Sequence, residues 1–177
     1  MTGPRTILER HRAVFADLDG VVYRGPAALP GVSSTLAIAR EQGHPIVFVT
    51  NNASRTPETV AGHLTEIGVP ASPNEVLTAA QAGVALMQKS VARGSRVLVV
   101  GGDGLRTAVS QAGYEIVSHA DDAPVAVIQG FDPSVSWREL AQASYAVNDG
   151  AAALEAMAEH QPDAALLDVM MPFVDGM

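Results

Sequence analysis

The sequence predicts an α/β fold built on a Rossmann-like parallel sheet. Short apolar runs alternate along the chain with segments of helical period, which is the pattern of repeated αβ units. The run Ile46-Val-Phe-Val-Thr50 is apolar and β-branched almost throughout, as expected of a parallel strand buried on both faces. Glycine or proline stands at most of the joins between segments.

Each element follows from local chemistry. Val14 to Asp17 is a short apolar strand. After a loop through Pro30, Val32 to Gln42 carries Leu36, Ile38 and Ala39 and stops at Gly43, as a helix ended by glycine does. Ile46 to Thr50 is the second strand. Thr56 then caps a helix whose first turn accepts Pro57, whose apolar stripe is Val60, Leu64 and Ile67, and which Gly68 terminates. Downstream come helix Gln81 to Val91, strand Arg96 to Val100, helix Leu105 to Ala112, strand Val125 to Ile128 and helix Trp137 to Val147. Gly101-Gly-Asp-Gly104 follows a strand and opens a helix, but its spacing is not that of a dinucleotide loop. A tight turn with Asp103 near a helix N-terminus is expected there. Trp137, the only tryptophan, is expected to be a packing anchor. There is no internal repeat and no low-complexity linker.

Composition narrows the functional classes. The 177 residues, 47% of them hydrophobic, suffice for one medium domain or two small ones. Without cysteine there is neither a disulfide nor a thiolate metal site, and the five histidines are scattered. A bound metal is therefore expected to be a hard cation held by oxygen. The formal net charge of −8 disfavours an extended nucleic-acid surface. No apolar run reaches the ~20 residues that span a bilayer, and the N-terminal residues lack the apolar stretch of a secretory signal. A cytoplasmic protein without membrane partners is expected; composition leaves the oligomeric state open.

Ligands of open parallel sheets sit beyond the carboxyl ends of the strands. Two strand closures carry chemistry. The first strand ends in Asp17-Leu-Asp-Gly20 and the second in Thr50-Asn-Asn52. If these strands are neighbours, two carboxylates lie beside a hydroxyl and two amides, a set suited to phosphoryl transfer. One carboxylate attacks phosphorus and coordinates Mg²⁺, the other protonates the leaving oxygen, and Thr50 with backbone N–H groups holds the phosphoryl oxygens. Gly20 permits the turn that presents those amides. Asp-Gly is also an ordinary turn pair, and only its combination with Thr50-Asn51-Asn52 makes it a site.

Phe15-Ala-Asp-Leu-Asp-Gly-Val-Val-Tyr-Arg-Gly25, Leu29-Pro-Gly-Val32 and Phe48-Val-Thr-Asn-Asn-Ala-Ser-Arg-Thr-Pro-Glu58 together resemble the haloacid dehalogenase (HAD) superfamily of phosphatases, in its p-nitrophenylphosphatase and phosphoglycolate phosphatase branch. The resemblance covers about residues 12–149. It implies that Asp17 is the nucleophile that becomes an aspartyl phosphate and Asp19 the general acid and base. Thr50 corresponds to the family's second motif, with Gly20, Asn51 and Asn52 as further phosphate or substrate contacts. It also implies Mg²⁺ at Asp17 and Asp19, and a small phosphorylated substrate. Val76-Leu-Thr-Ala-Ala-Gln-Ala82 is where such enzymes pass into an inserted α/β cap. The implied organisation is a core fragment over residues 1–78, a partial cap over 79–148 and a foreign tail over 149–177.

The family also uses a lysine on a later strand and a further acidic motif. The single lysine here is Lys89, on the helix that leads into the cap rather than on a strand after it. Residues 149–177, with Pro162-Asp-Ala-Ala-Leu-Leu-Asp-Val-Met-Met-Pro172 at their centre, instead resemble the middle of a response-regulator receiver domain, in which Asp168 would be the phosphoacceptor. A helix over Ala151 to His160 and a strand over Ala164 to Leu167 are expected there, with Asp168 closing the strand as a turn residue. Three functional classes follow: a phosphomonoester hydrolase weakened by the missing lysine, a non-catalytic phosphate or Mg²⁺ binder, and a chimeric scaffold without a ligand.

Overall fold

A computed structural model describes residues 6–147 and the backbone of residues 167–168. The chain divides into two units, Met1–Thr50 with Pro57–Thr78, and Asn51–Thr56 with Ala79–Met177.

The first unit opens with one helical turn, α1 (Ile7–Arg10), held by a capping box in which Thr6 N–H donates to Glu9 Oε2 at 2.8 Å and Glu9 N–H donates back to Thr6 Oγ1 at 3.3 Å. Strand β1 (Val14–Asp17) lies parallel to β4 (Ile46–Thr50), and β4 lies parallel to β5 (Val76–Thr78), giving the order β1-β4-β5. A two-residue hairpin, β2 (Tyr23–Arg24) with β3 (Ala27–Ala28), follows β1. Helices α2 (Val32–Glu41) and α3 (Pro57–Glu66) supply Leu36, Ala39, Val60, Ala61 and Leu64 to a core that also holds Ala16, Leu18, Ile46, Phe48 and Val76.

This sheet departs from the expectation of burial on both faces. Phe48 is fully buried, but Val47 and Val49 are only half-buried, Phe15 is 72% exposed and Leu77 41% exposed. Side chains alternate along a strand. Ala16, Phe48 and Val76 pack with the helices in one cluster, while Phe15, Val47 and Leu77 lie on the less buried face.

Arg40 on α2 donates from one Nη to both oxygens of Glu75, at 3.0 and 3.1 Å, and so ties the helix to the 3₁₀ turn Pro73–Glu75 before β5. Burial disfavours the Glu75 carboxylate, but the Ser72 N–H and the Arg40 guanidinium outweigh it and hold its pKa below the ordinary glutamate value. A depressed carboxylate pKa contributes stability above the unfolded-state value that is lost as pH falls through the folded one. Glu75→Gln is therefore expected to lower Tm at pH 7, and its difference from the parent chain to shrink as pH drops below about 4.5. An equal Tm deficit at pH 3 and pH 7 would show that Glu75 contributes packing alone.

The second unit is a three-layer sandwich around the parallel sheet β7-β6-β8-β9, made of β6 (Arg96–Val100), β7 (Glu115–Val117), β8 (Ala126–Gln129) and β9 (Leu167–Asp168). Here burial on both faces is realised. Val97 and Val99 of β6 face α4 (Ala79–Met87) and α5 (Asp103–Gln111), in a cluster with Ala80, Val84, Met87, Leu105 and Val109. Leu98 and Val100 point the other way, toward α6 (residues 137–147), in a cluster with Ala143, Leu140 and Ala146.

Several boundaries differ from the sequence reading. Helix α4 starts two residues early, directly after β5, and closes at Met87, where Ser90 and Val91 N–H groups converge on the Met87 carbonyl. Strand β8 is shifted by one residue. Trp137 is 87% exposed at the start of α6, so it is not a packing anchor among the described residues. The expected turn at Gly101–Gly104 is present: Gly102 precedes α5 and Asp103 lies in its first turn. Of the tail, Leu167 and Asp168 form β9 with Asp168 beside Gln129 of β8. The expected helix Ala151 to His160 and the rest of the receiver-like segment lie outside the described residues.

Candidate active site

In the first unit, three adjacent parallel strands end at one edge, and polar residues close each. The register sets Asp17 beside Val49 and Thr50 beside Thr78. Carried one residue on, it brings Thr50 level with Leu18.

Alternation sorts these side chains. Asp17 and Asp19 are both exposed while Leu18 between them is 2% exposed, because Leu18 continues the core face of β1 into the loop. Burying one leucine thus aims both carboxylates outward, and neither has an ion-pair or hydrogen-bond partner among the described residues. The loop itself is held tightly. The Leu18 carbonyl accepts from Val22 N–H at 2.9 Å, Tyr23 N–H at 3.1 Å and Val21 N–H at 3.3 Å. Gly20 has φ of 80°, a conformation that side-chain-bearing residues rarely adopt, and its N–H donates to the Tyr23 carbonyl at 2.8 Å. Gly20 therefore shapes the loop, and its own amide is engaged within it.

Thr50 is 8% exposed and lies on the core face of β4, with Phe48, whereas Asp17 lies on the opposite face of β1. Thr78 across from it is 2% exposed, and no buried side-chain oxygen among the described residues lacks a partner. Sequence reading passed over Thr78. Its signal was an echo: Phe48-Val-Thr50 and Val76-Leu-Thr78 both close apolar strands with threonine, but a three-residue strand falls below the usual pattern window.

Asn51 and Asn52 follow Thr50 directly in the chain and belong to the second unit. Both are exposed, and Asn52 Oδ1 accepts from Ser54 N–H at 2.7 Å and Ser54 Oγ at 2.8 Å, forming an Asx turn. Asp168 closes β9 in the second unit's sheet. The sole lysine, Lys89, is exposed in the turn after α4.

A parallel α/β scaffold whose strands end in carboxylates and hydroxyls places those groups where open sheets of this class bind their ligands. The sequence profile of the haloacid dehalogenase-like hydrolase family matches residues 14–115, and the chain belongs to that family. It is similar to the D-glycerol 3-phosphate phosphatase of Mycobacterium tuberculosis, with 37% identity over 147 residues covering 83% of this chain and 41% of the relative. An acid sugar phosphatase of Staphylococcus aureus is 34% identical over 144 residues, covering 81% of this chain and 54% of that protein. Among solved structures, the M. tuberculosis glycerol phosphate phosphatase in complex with magnesium superposes with a TM-score of 0.78 at 37% identity, over 82% of this chain and 44% of that one. A double mutant thermostable NPPase from Geobacillus stearothermophilus gives 0.71 at 29% identity, over 79% and 53%. The chain thus spans about half the length of the relatives it matches. Residues 149–177 lie beyond the family match. No helix among the described residues is long and apolar enough to cross a membrane.

Proposed function

We propose that the chain carries the nucleophile half of a Mg²⁺-dependent phosphomonoester hydrolase, acting on a small phosphorylated substrate through an aspartyl phosphate on Asp17. The carrying observation is the pair of exposed, unpartnered carboxylates flanking buried Leu18 at the carboxyl end of β1. An Asp17 oxygen bonds to phosphorus as the ester P–O bond breaks, and Asp19 gives its proton to the leaving oxygen. Asp19 then takes a proton from the water whose oxygen displaces Asp17 from phosphorus, which restores both residues. Thr50, Asn51 and Asn52 are read as contacts to phosphoryl oxygens or substrate. Gly20 contributes through the loop it allows.

The donor set fits Mg²⁺. Among the described residues no group of three His, Asp or Glu side chains is assembled, but Mg²⁺ is commonly held by one or two carboxylates with waters and a substrate phosphate completing its shell. Asp17 would hold it through its carboxylate and Asp19 through an oxygen other than the one that carries the proton, and when bound it would supply positive charge against the phosphoryl oxygens. Residues 1–78 are read as the core fragment, 79–148 as a partial cap, and 149–177 as a receiver-like tail whose Asp168 ends a strand and accepts no phosphate.

A second reading, a phosphate or Mg²⁺ binder without turnover, is favoured by the position of Lys89, which follows α4 rather than a late core strand. The two readings separate on one assay, release of phosphate from p-nitrophenyl phosphate by the 177-residue chain with and without Mg²⁺. Slow Mg²⁺-dependent turnover, well below the ~10 per second typical of enzymes, is expected because stabilisation of the transferring group by a fixed cation is a large catalytic contribution. Mg²⁺ binding without turnover would support the second reading, and turnover indifferent to Mg²⁺ would refute both.

A further inference from the structure

The loop Asn51–Thr56 leaves β4 and enters α3, yet its contacts are with the second unit. Its seat there is built from glycines. Gly104 N–H, in the first turn of α5, donates to the Ser54 carbonyl at 3.0 Å. A methyl group on Gly104 would lie 2.6 Å from the Ala53 carbonyl oxygen and closer still to that of Arg55, both of them backbone atoms that cannot rotate away. On Gly102 it would meet the Asp132 carboxylate and stand 3.1 Å from the Ser54 carbonyl. On Gly130 it would stand 3.0 Å from the Ala53 methyl. Ala53 itself is 3% exposed and shares a cluster with Leu105 and Val109.

We propose that Gly102 and Gly104 are positioning residues for the phosphate-contact loop: by admitting the backbone of residues 53–55 against the start of α5, they fix where Asn51 and Asn52 stand. The proposal rests on the reading of Asn51 and Asn52 as phosphate contacts and gives the Gly-Gly-Asp-Gly turn a role other than nucleotide binding. The helix amide that an anion would otherwise engage is committed to Ser54, and the missing side chains make room for a neighbouring strand of backbone.

The test compares Gly104→Ala and Gly102→Ala with Val109→Ala, which opens a cavity in the cluster that holds Ala53 but leaves every glycine of the seat unchanged. Amide chemical shifts and hydrogen exchange of Asn51 and Asn52 are read in the ligand-free ¹⁵N-labelled full chain, and kcat/KM is measured on p-nitrophenyl phosphate. Gly104→Ala is expected to move both amide signals and speed their exchange. It is also expected to lower kcat/KM by about ten-fold or more, since an ångström-scale misplacement of a binding group is costly. Gly102→Ala, where the new methyl meets mainly a movable side chain, should do the same to a smaller degree. Val109→Ala should lower Tm yet leave the two amides in place. Unchanged amides in folded Gly104→Ala, or equal changes in Val109→Ala, would overturn the proposal. If Gly104→Ala fails to fold, Gly102→Ala decides by the same measurements. Shifted amides in a chain that neither binds inorganic phosphate nor turns over would keep the glycine seat and refute the phosphate reading instead.

Discussion

Asp17→Asn is expected to bring Mg²⁺-dependent phosphate release down to the buffer rate, a loss of at least ~10³-fold or about 4 kcal/mol of barrier stabilisation. An amide is isosteric with the carboxylate but lacks the nucleophilic charge, and no other side chain closing these strands can attack phosphorus: Thr50 and Thr78 are buried and Asp19 is assigned the proton. Because Asp17 is exposed and unpartnered among the described residues, the change should move stability by no more than ~0.5 kcal/mol, so loss of activity cannot be charged to unfolding. Under acid quench, a phosphoryl adduct on the parent chain should map to Asp17 by mass spectrometry and be absent from the variant. Full activity in Asp17→Asn would end the assignment.

Phe48→Ala is expected to cost the first unit roughly 3–5 kcal/mol, a large part of the ~5–15 kcal/mol that a domain has in total. Phe48 lies on the middle strand of a three-stranded sheet, fully buried in one cluster with Leu36, Val60 and Leu64 from both covering helices. Removing the ring leaves a cavity that two helices and a sheet cannot close without breaking register. Phe15, the same residue type one register position away on β1 and so on the other face, is 72% exposed, and Phe15→Ala should stay within ~1 kcal/mol. Urea unfolding of the two variants would measure the contrast. Equal losses would show that the open face of the sheet is covered in solution.

The sequence alone determined the elements whose signals are local. Period and punctuation located β1, α2, β4, α3, β6 and α5 to within a few residues, because a helix begun at Pro57 or stopped before Gly43 is decided by chemistry within one turn. It also determined the chemical set, since Asp17-Leu-Asp-Gly20 and Thr50-Asn-Asn52 close strands whatever the neighbours do. Elements that exist only through pairing were not legible. β5 and β7 are three residues each, too short to show a period, and become strands because β4 and β6 offer them ladders. Burial was not legible either. Ile46–Thr50 and Arg96–Val100 read alike, yet one strand is covered by helices on a single face and the other on both, which depends on where distant helices pack. Tertiary structure likewise decided that Leu18 turns inward so that Asp17 and Asp19 turn out, that the Gly20 amide is engaged by Tyr23, and that Gly102 and Gly104 seat the loop after Thr50. A local pattern states which groups are available; which of them face solvent, a core or a neighbouring backbone is fixed by contacts between residues far apart in the chain, and no window of sequence contains those.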